Sequence, residues 1–490
     1  MRNVRTGKRF LAAVSLVILC ICLLLNGCNG GVRIEDSSSK ESTSALSSDS
    51  SSASPSALSE GTQSTNSAPA EPSEDGTTAD VSTSEKTIPT LPSGVNTTAP
   101  IVTEGTVAPP EVVPTTPTKV TPPPEEPVIS KALTPLQPED YYGYQLLKKS
   151  GDKDMLNAYS AIAEAVGAYQ TQVELSAKGI KVTPEEFARV FYYYVDDYPQ
   201  HFWREKGYSY SYYTLPGKKD HIVSAVTLQF NIKAADIPAA RAAMEKKTAA
   251  LLDGLNGSMS EFERERLLHD RLVKSVEYSK AENPSASVYT LYGALVNGSA
   301  VCEGYARAFQ YLMYQAGIPC LMVIGSSRGV PHAWNIVTID GQPYHMDATW
   351  NDQGKDTQGE DVILYFYFNI TTAQIKQDHA ITYDFFNGTD YQTSYPVPDC
   401  TATAAEYHNQ IGASMTGFSA DIVAQQIVAA AKSGSPYVNL RSTLTPDDFM
   451  AEYKANLNVL RQKVAADGVK LGSYSWYPNT TLGAVCIRYQ

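Results

Sequence analysis

"HAWNIVTIDGQPYHMDATW", residues 332–350, contains two strand-like runs separated by Asp-Gly, the strongest short hairpin signal. With Asp340 and Gly341 as the two turn residues, Ile339 faces Gln342, and the pairing continues until Trp334 faces Asp347. His332 lies two residues before Trp334 and shares its sheet face. His332 and Asp347 are then diagonal neighbours, about 7 Å apart at the backbone and within reach of an imidazole-to-carboxylate hydrogen bond. His345 is expected on the face opposite Asp347, which selects His332 as the base; a one-residue slip would reverse that choice. Pro343, opposite Thr338 at a non-hydrogen-bonded position, costs this ladder no donor and marks an edge.

Upstream, "CLMVIGS" (residues 320–326) supplies another strand-like run. Before it, "YTLYGALVNGSAVCEGYARAFQYLMYQAGIP" (289–319) breaks at Asn297 to Ser299 and then reads as a helix to Ala316, with Gly317 as its stop and Pro319 beyond. Cys302 falls in the first turn of that helix. Free N–H groups and the positive end of the helix dipole stabilise a thiolate there, and the same N–H groups can hold an oxyanion. A thiol at a helix start, an imidazole on one strand and a carboxylate on the next form a nucleophile–base–orienter set. Cys302, His332 and Asp347 are the candidate catalytic residues. His269, inside the helical run "SEFERERLLHDRLVKSVEY", reads as a packing or surface histidine.

The rest of the chain frames this set. Of 490 residues, 43% are hydrophobic and 19% charged, enough for more than one packed core. Arg2, Arg5, Lys8 and Arg9 precede the apolar run "FLAAVSLVILCICLLL", the plan of a signal peptide. "LLNGC" resembles a bacterial lipobox, so residues 1–28 are expected to be a lipoprotein signal ending at a lipidated Cys28. Residues 29–134, dominated by Ser, Thr, Pro and Ala, cannot offset their conformational entropy by burial and read as a disordered tether. The expected location is therefore extracytoplasmic, attached to the bacterial cell membrane by a lipid anchor.

With Cys20 and Cys22 inside the signal, Cys302, Cys320, Cys400 and Cys486 remain for the folded part, without repeated C-x-x-C spacing. This argues against a zinc site and a disulfide-dense scaffold, although a bridge such as Cys400 to Cys486 is permitted. A formal net charge of -13 without a basic block after the signal gives no nucleic-acid footprint.

Residues 135–255 read as an N-terminal helix and hairpin module. Its signals are a helical run at "DMLNAYSAIAEAVGAYQ", a capping box at Thr183 and Glu186, and the strand formers "GYSYSYYTL" and "IVSAVTLQF" around a turn. Residues 256–398 carry the catalytic candidates. Residues 399–490 read helix, strand, helix, strand: a small C-terminal α/β region without visible chemistry.

"VCEGYARAF", "HAWNIV" and "YHMDATWND" resemble the three core motifs of the transglutaminase-like superfamily, most closely its bacterial extracytoplasmic branch. The resemblance implies an α+β, papain-like core in which a Cys-bearing helix packs on an antiparallel sheet. It also implies a Cys302 nucleophile, a His332 base and an Asp347 that orients His332, with Trp350 and Glu303 near the site and Tyr289 and Tyr292 as candidates to assist the oxyanion. No cofactor is expected, and "NDQGKD" (351–356) lacks EF-hand spacing. The expected partner is a protein or peptide substrate, such as cell-wall peptide. The expected reaction is acyl transfer from an amide, to water (peptidase or amidase) or to an amine (cross-linking). A tethered binding or scaffold protein that kept the fold without turnover is the alternative.

Overall fold

Residues 5–7, 33–35, 132–215, 220–382 and 396–489 are described by the computed structural model. Cys28, the rest of the expected signal and nearly all of the expected tether lie outside them. The N-terminal part begins with helices α1 (Tyr142–Ser150), α2 (Lys153–Gly167) and α3 (Pro184–Asp197). Thr183 caps α3 through the reciprocal box with Glu186. Strand β1 (Gln172–Glu174) pairs with β3 (His221–Phe230), which forms the expected hairpin with β2 (Arg204–Thr214). Tyr208 packs its ring on Phe187 and Phe191 of α3, while the strand's other tyrosines remain half-buried. Helices α4 (Ile237–Leu252) and α5 (Glu261–Ser275) follow, the second capped by Ser260 and Glu263.

Helix α6 (Cys302–Gln315) lies against a four-stranded antiparallel sheet. The strands are β4 (Cys320–Ser327), β5 (Val330–Ile339), β6 (Gln342–Met346) and β7 (His379–Ile381), in the order β6-β5-β4-β7. Asp340 and Gly341 carry φ of 49° and 76°, the double left-handed turn that Asp-Gly favours. Gln342 pairs with Ile339 and Met346 with Asn335, so the two-residue turn and its register are as read from the sequence. Pro343 sits opposite Thr338 on the edge strand.

Small residues let α6 approach the sheet: Ala306 packs with Met322 and Ala333, and Asn335 Nδ2 donates to the Ala306 and Leu321 carbonyls at 3.0 and 3.3 Å. Gly304 is needed on the other side of the helix, because a Cβ there would lie 2.3 Å from the Val288 carbonyl oxygen. At the N-terminal module, Arg307 Nη1 donates to the Val195 carbonyl and Gln310 Nε2 to that of Asp196, tying α6 to the end of α3.

The C-terminal region has its own apolar cluster, including Val423, Ile427, Phe449, Leu460, Trp476 and Ile487. Its helix Ala420–Lys432 and strands Tyr437–Ser442 and Ala484–Tyr489 match the expected pattern. Two features do not. The second expected helix is two, Pro446–Ala455 and Leu457–Ala465, separated at Asn456, whose φ and ψ of -97° and 9° leave the helical range. A further strand, Tyr474–Asn479, pairs with Ala484–Tyr489 despite containing Pro478. Cys400 and Cys486 are both buried free thiols, so the bridge that spacing permitted is not formed. Among the described residues, no helix is long and apolar enough to cross a membrane.

Candidate active site

Cys302 is the first residue of α6, and the preceding Val301 offers no side chain to cap the helix. The first intrahelical bond is Tyr305 N–H to the Val301 carbonyl, at 3.1 Å. The N–H groups of Cys302, Glu303 and Gly304 precede that bond and have no intrahelical acceptor. A Ser, Thr or Asp at position 301 would occupy that of Glu303 or Gly304; valine offers them no side-chain acceptor. Cys302 is half-buried, whereas Cys320, Cys400 and Cys486 are buried, and burial pushes all three of those thiols up.

His332 comes from β5 and Asp347 from the residue after β6. His332 Nε2 and Asp347 Oδ2 are 2.6 Å apart, and the Cys302 sulfur adds to the stabilisation of a charged ring. Asp347 is fully buried, and its Oδ1 accepts from the Trp350 backbone N–H at 3.0 Å as it caps the short helix Ala348–Asn351. Burial opposes a charge on His332. The Asp347 carboxylate, the hydrogen bond to it and the Cys302 sulfur outweigh that penalty and push His332 up to about 10. Burial likewise opposes charge on Asp347, yet the two histidines beside it hold the carboxyl well below the usual range. The cluster thus favours a sulfur–imidazolium–carboxylate arrangement.

Rings pack around it. Trp334 stacks on His332 at 6.0 Å and 18°, Trp350 meets the same ring edge-on at 6.3 Å, and the Arg328 guanidinium lies 4.5 Å above Trp350. Glu303, next to Cys302, points away into an ion cluster: Arg307 Nε at 2.9 Å and Lys206 Nζ of β2 at 2.8 Å. These cations outweigh burial and hold Glu303 down to about 2. Tyr292 stacks on Phe202 at 4.8 Å.

One expectation fails on geometry. His345 and Asp347 are two residues apart on one strand and share a face, so alternation does not separate them. Partners exclude His345 instead: Trp334 Nε1 donates to its Nδ1 at 3.1 Å, Thr372 Oγ1 lies 3.2 Å from its Nε2, and burial lowers it to about 3. His269 is buried against Asn351 and Asp270, the packing role expected of it. In "NDQGKD", Asp352 accepts from Tyr305 Oη, and Asp356 accepts from Tyr437 Oη and Arg488 Nε, so these acids serve packing.

The sequence reading missed His379. Its Nε2 lies 3.2 Å from Asp347 Oδ2 and its Nδ1 2.6 Å from Asp378 Oδ1, with the ring fully buried on β7. The donor atoms of His332, Asp347 and His379 lie within 4.8 Å of one another. The 2.6 Å separation at Asp347 Oδ2 is a hydrogen bond and too short for two ligands of one tetrahedral ion, whose bonds of about 2.0–2.2 Å set donors more than about 3 Å apart.

The chain is similar to known proteins over part of its length. Residues 249–348, which span α5, α6, β4, β5 and β6 up to Ala348, match the family model described as the Transglutaminase-like superfamily. The chain is 28% identical over 144 residues to the kyphoscoliosis peptidases of Mus musculus and Homo sapiens, a match that covers 26% of this chain and 22% of those relatives. Among solved structures, a crystal structure of a TGase is 17% identical, covering 31% of this chain and 46% of that one, with a TM-score of 0.22. The chain spans about a fifth of the length of the peptidases it matches. Over residues 249–348, which carry the Cys-bearing helix and three of the antiparallel strands, the chain is similar to the transglutaminase-like superfamily.

Proposed function

We propose that the chain is a surface-anchored cysteine enzyme that acts on amide bonds, with Cys302 as nucleophile, His332 as acid and base, and Asp347 as its orienting carboxylate. The observation that carries the reading is the 2.6 Å contact of the buried Asp347 with His332 Nε2, with Cys302 coupled electrostatically to the same ring from an uncapped helix start.

In the acylation step the Cys302 sulfur attacks the amide carbon, and the carbonyl oxygen becomes an oxyanion held by N–H groups at the start of α6. Nε2 of His332 is engaged by Asp347, so Nδ1 serves the reaction: it gives its proton to the departing amine as the C–N bond breaks. A thioester on Cys302 remains. His332, now neutral, removes a proton from water or from a second amine, which attacks the thioester and releases the thiolate. Water gives a peptidase or amidase; an amine gives cross-linking. The half-exposed Cys302, reachable by solvent, favours hydrolysis.

The substrate class is protein or peptide, including cell-wall peptide. Lipidation of Cys28 and the residue 29–134 tether would hold the domain at the outer face of the bacterial cell membrane. The test uses the purified chain, a thiol-directed amide probe, and a fluorescent primary amine with surface proteins. Probe labelling that disappears in Cys302→Ala supports the enzyme; amine incorporation identifies transfer, and labelling without it identifies hydrolysis. Equal behaviour of wild type and Cys302→Ala in both assays refutes the reading.

A further inference from the structure

His379 lies outside the three residues that the proposed reaction uses, 32 positions beyond Asp347 in the chain. It reaches the site because β7 pairs antiparallel with β4, with His379 opposite Ser327 and Ile381 opposite Gly325. Gly325 also pairs with His332, so one glycine separates the two histidine strands. The approach depends on that glycine, since a Cβ at 325 would lie 1.9 Å from the Ala380 carbonyl oxygen.

Both ring nitrogens of His379 face carboxylates: Nε2 faces Asp347 Oδ2 at 3.2 Å and Nδ1 faces Asp378 Oδ1 at 2.6 Å. An ionised carboxylate only accepts, and a neutral imidazole carries one N–H. Two carboxylate acceptors therefore call for two N–H groups, an imidazolium. Asp378 is secured from the far side by Tyr367 Oη at 2.6 Å and Arg328 Nη2 at 3.5 Å. Its hydrogen bonds outweigh burial and keep its carboxyl below the usual range. The charges then alternate outward from the base: His332, Asp347, His379, Asp378, Arg328. Also packed against this chain are His345 on β6 and the phenol of Tyr367.

We propose that His379 is a positioning residue: an imidazolium fixed between Asp378 and Asp347 that divides the Asp347 charge between two rings and so sets how firmly His332 keeps its proton. This rests on the Cys302–His332 reading above. A carboxylate serving His332 alone would hold the imidazolium proton more firmly and make the ring a weaker acid toward the leaving amine. A second cation on the same Oδ2 weakens that hold, and the ring centroids of His332 and His379 are 5.4 Å apart, close enough for like charges to matter.

The experiment measures iodoacetamide alkylation of Cys302 against pH, by peptide mass spectrometry, in the full chain and in His379→Gln and Asp378→Asn. Long-range proton–nitrogen NMR of the wild-type histidine rings accompanies it, with thermal melts for each variant. His379→Gln keeps a donor toward Asp347 and removes the charge; Asp378→Asn removes the anion that holds the charge in place. In both, the basic limb of the alkylation profile should move up by about two pH units, as expected for charges about 5 Å apart at an effective dielectric of about 20. In the wild type both His379 nitrogens should be protonated at neutral pH. A limb that stays or moves down in natively melting variants overturns the proposal, and so does a bare nitrogen on His379. If His379→Gln does not fold, Asp378→Asn and the wild-type spectrum decide. Failure of the Cys302 reading itself looks different: wild-type Cys302 would alkylate without any limb near the acidity of His332.

Discussion

Asp347→Asn probes the core of the proposed mechanism, because the amide is nearly isosteric and keeps an oxygen for the Trp350 N–H while removing the charge. His332 moves from 6.5 to about 10 in the folded protein, worth on the order of 5 kcal/mol in favour of the imidazolium. Part of that comes from the Cys302 sulfur and persists in the variant; the Asp347 charge and its 2.6 Å hydrogen bond supply the rest. Attributing about half to Asp347 predicts that the basic limb of Cys302 alkylation falls by about two pH units. This is the direction opposite to that expected for His379→Gln. Acyl transfer should fall by about 10²- to 10⁴-fold, the upper figure being the loss known for an orienting aspartate in a serine triad. The assay is iodoacetamide alkylation followed at the Cys302 peptide from pH 5 to 11, with turnover of an amide probe measured alongside. A limb within half a unit of wild type in a natively folded variant would refute the role given to Asp347.

Three further outcomes follow from the packing. Gly325→Ala must displace the backbone of β7, costing about 1–3 kcal/mol in a urea titration, and should slow alkylation of Cys302 with it. Glu303→Gln leaves the buried Arg307 with the longer Asp196 carboxylate contact and should destabilise by about 1–3 kcal/mol, whereas Lys206→Ala, which removes the more exposed cation from the same acid, should cost under about 1 kcal/mol. The Glu303 contribution is present above its ordinary value of 4.5 and is lost as pH falls toward about 2, so the difference between wild type and Glu303→Gln should shrink in acid. Since all four cysteines among the described residues are free thiols, reductant should leave the melting temperature unchanged, and thiol titration in denaturant should count all four before any reduction.

The legible parts of the site were those with local causes. Asp340-Gly341 set a two-residue turn and, through it, a register that runs to Met346 opposite Asn335 and leaves Asp347 next in line, in contact with His332. Asn297–Ser299 and Gly317 bracketed the helix that begins at Cys302. The illegible parts had non-local causes. Nothing near "DHAIT" signals that His379 will share Asp347, because β7 joins the sheet on its far edge, next to β4 and separated from β6 by two strands. His345 had to be excluded by its contacts with Trp334 and Thr372, since strand alternation puts it on the same face as Asp347. The strand Tyr474–Asn479 was hidden by its proline, and the break at Asn456 by a helical pattern that continues across it.

By itself, the sequence determined which residue types would stand at a helix start and on paired strands, because turn chemistry and helix punctuation act over a few residues. Only the tertiary structure decided that Val301 leaves the N–H groups beside Cys302 uncapped, that Glu303 turns away to Lys206 and Arg307, and that a second histidine reaches Asp347. Those outcomes depend on which distant strands and helices come together, and on whether a glycine lets them come close enough.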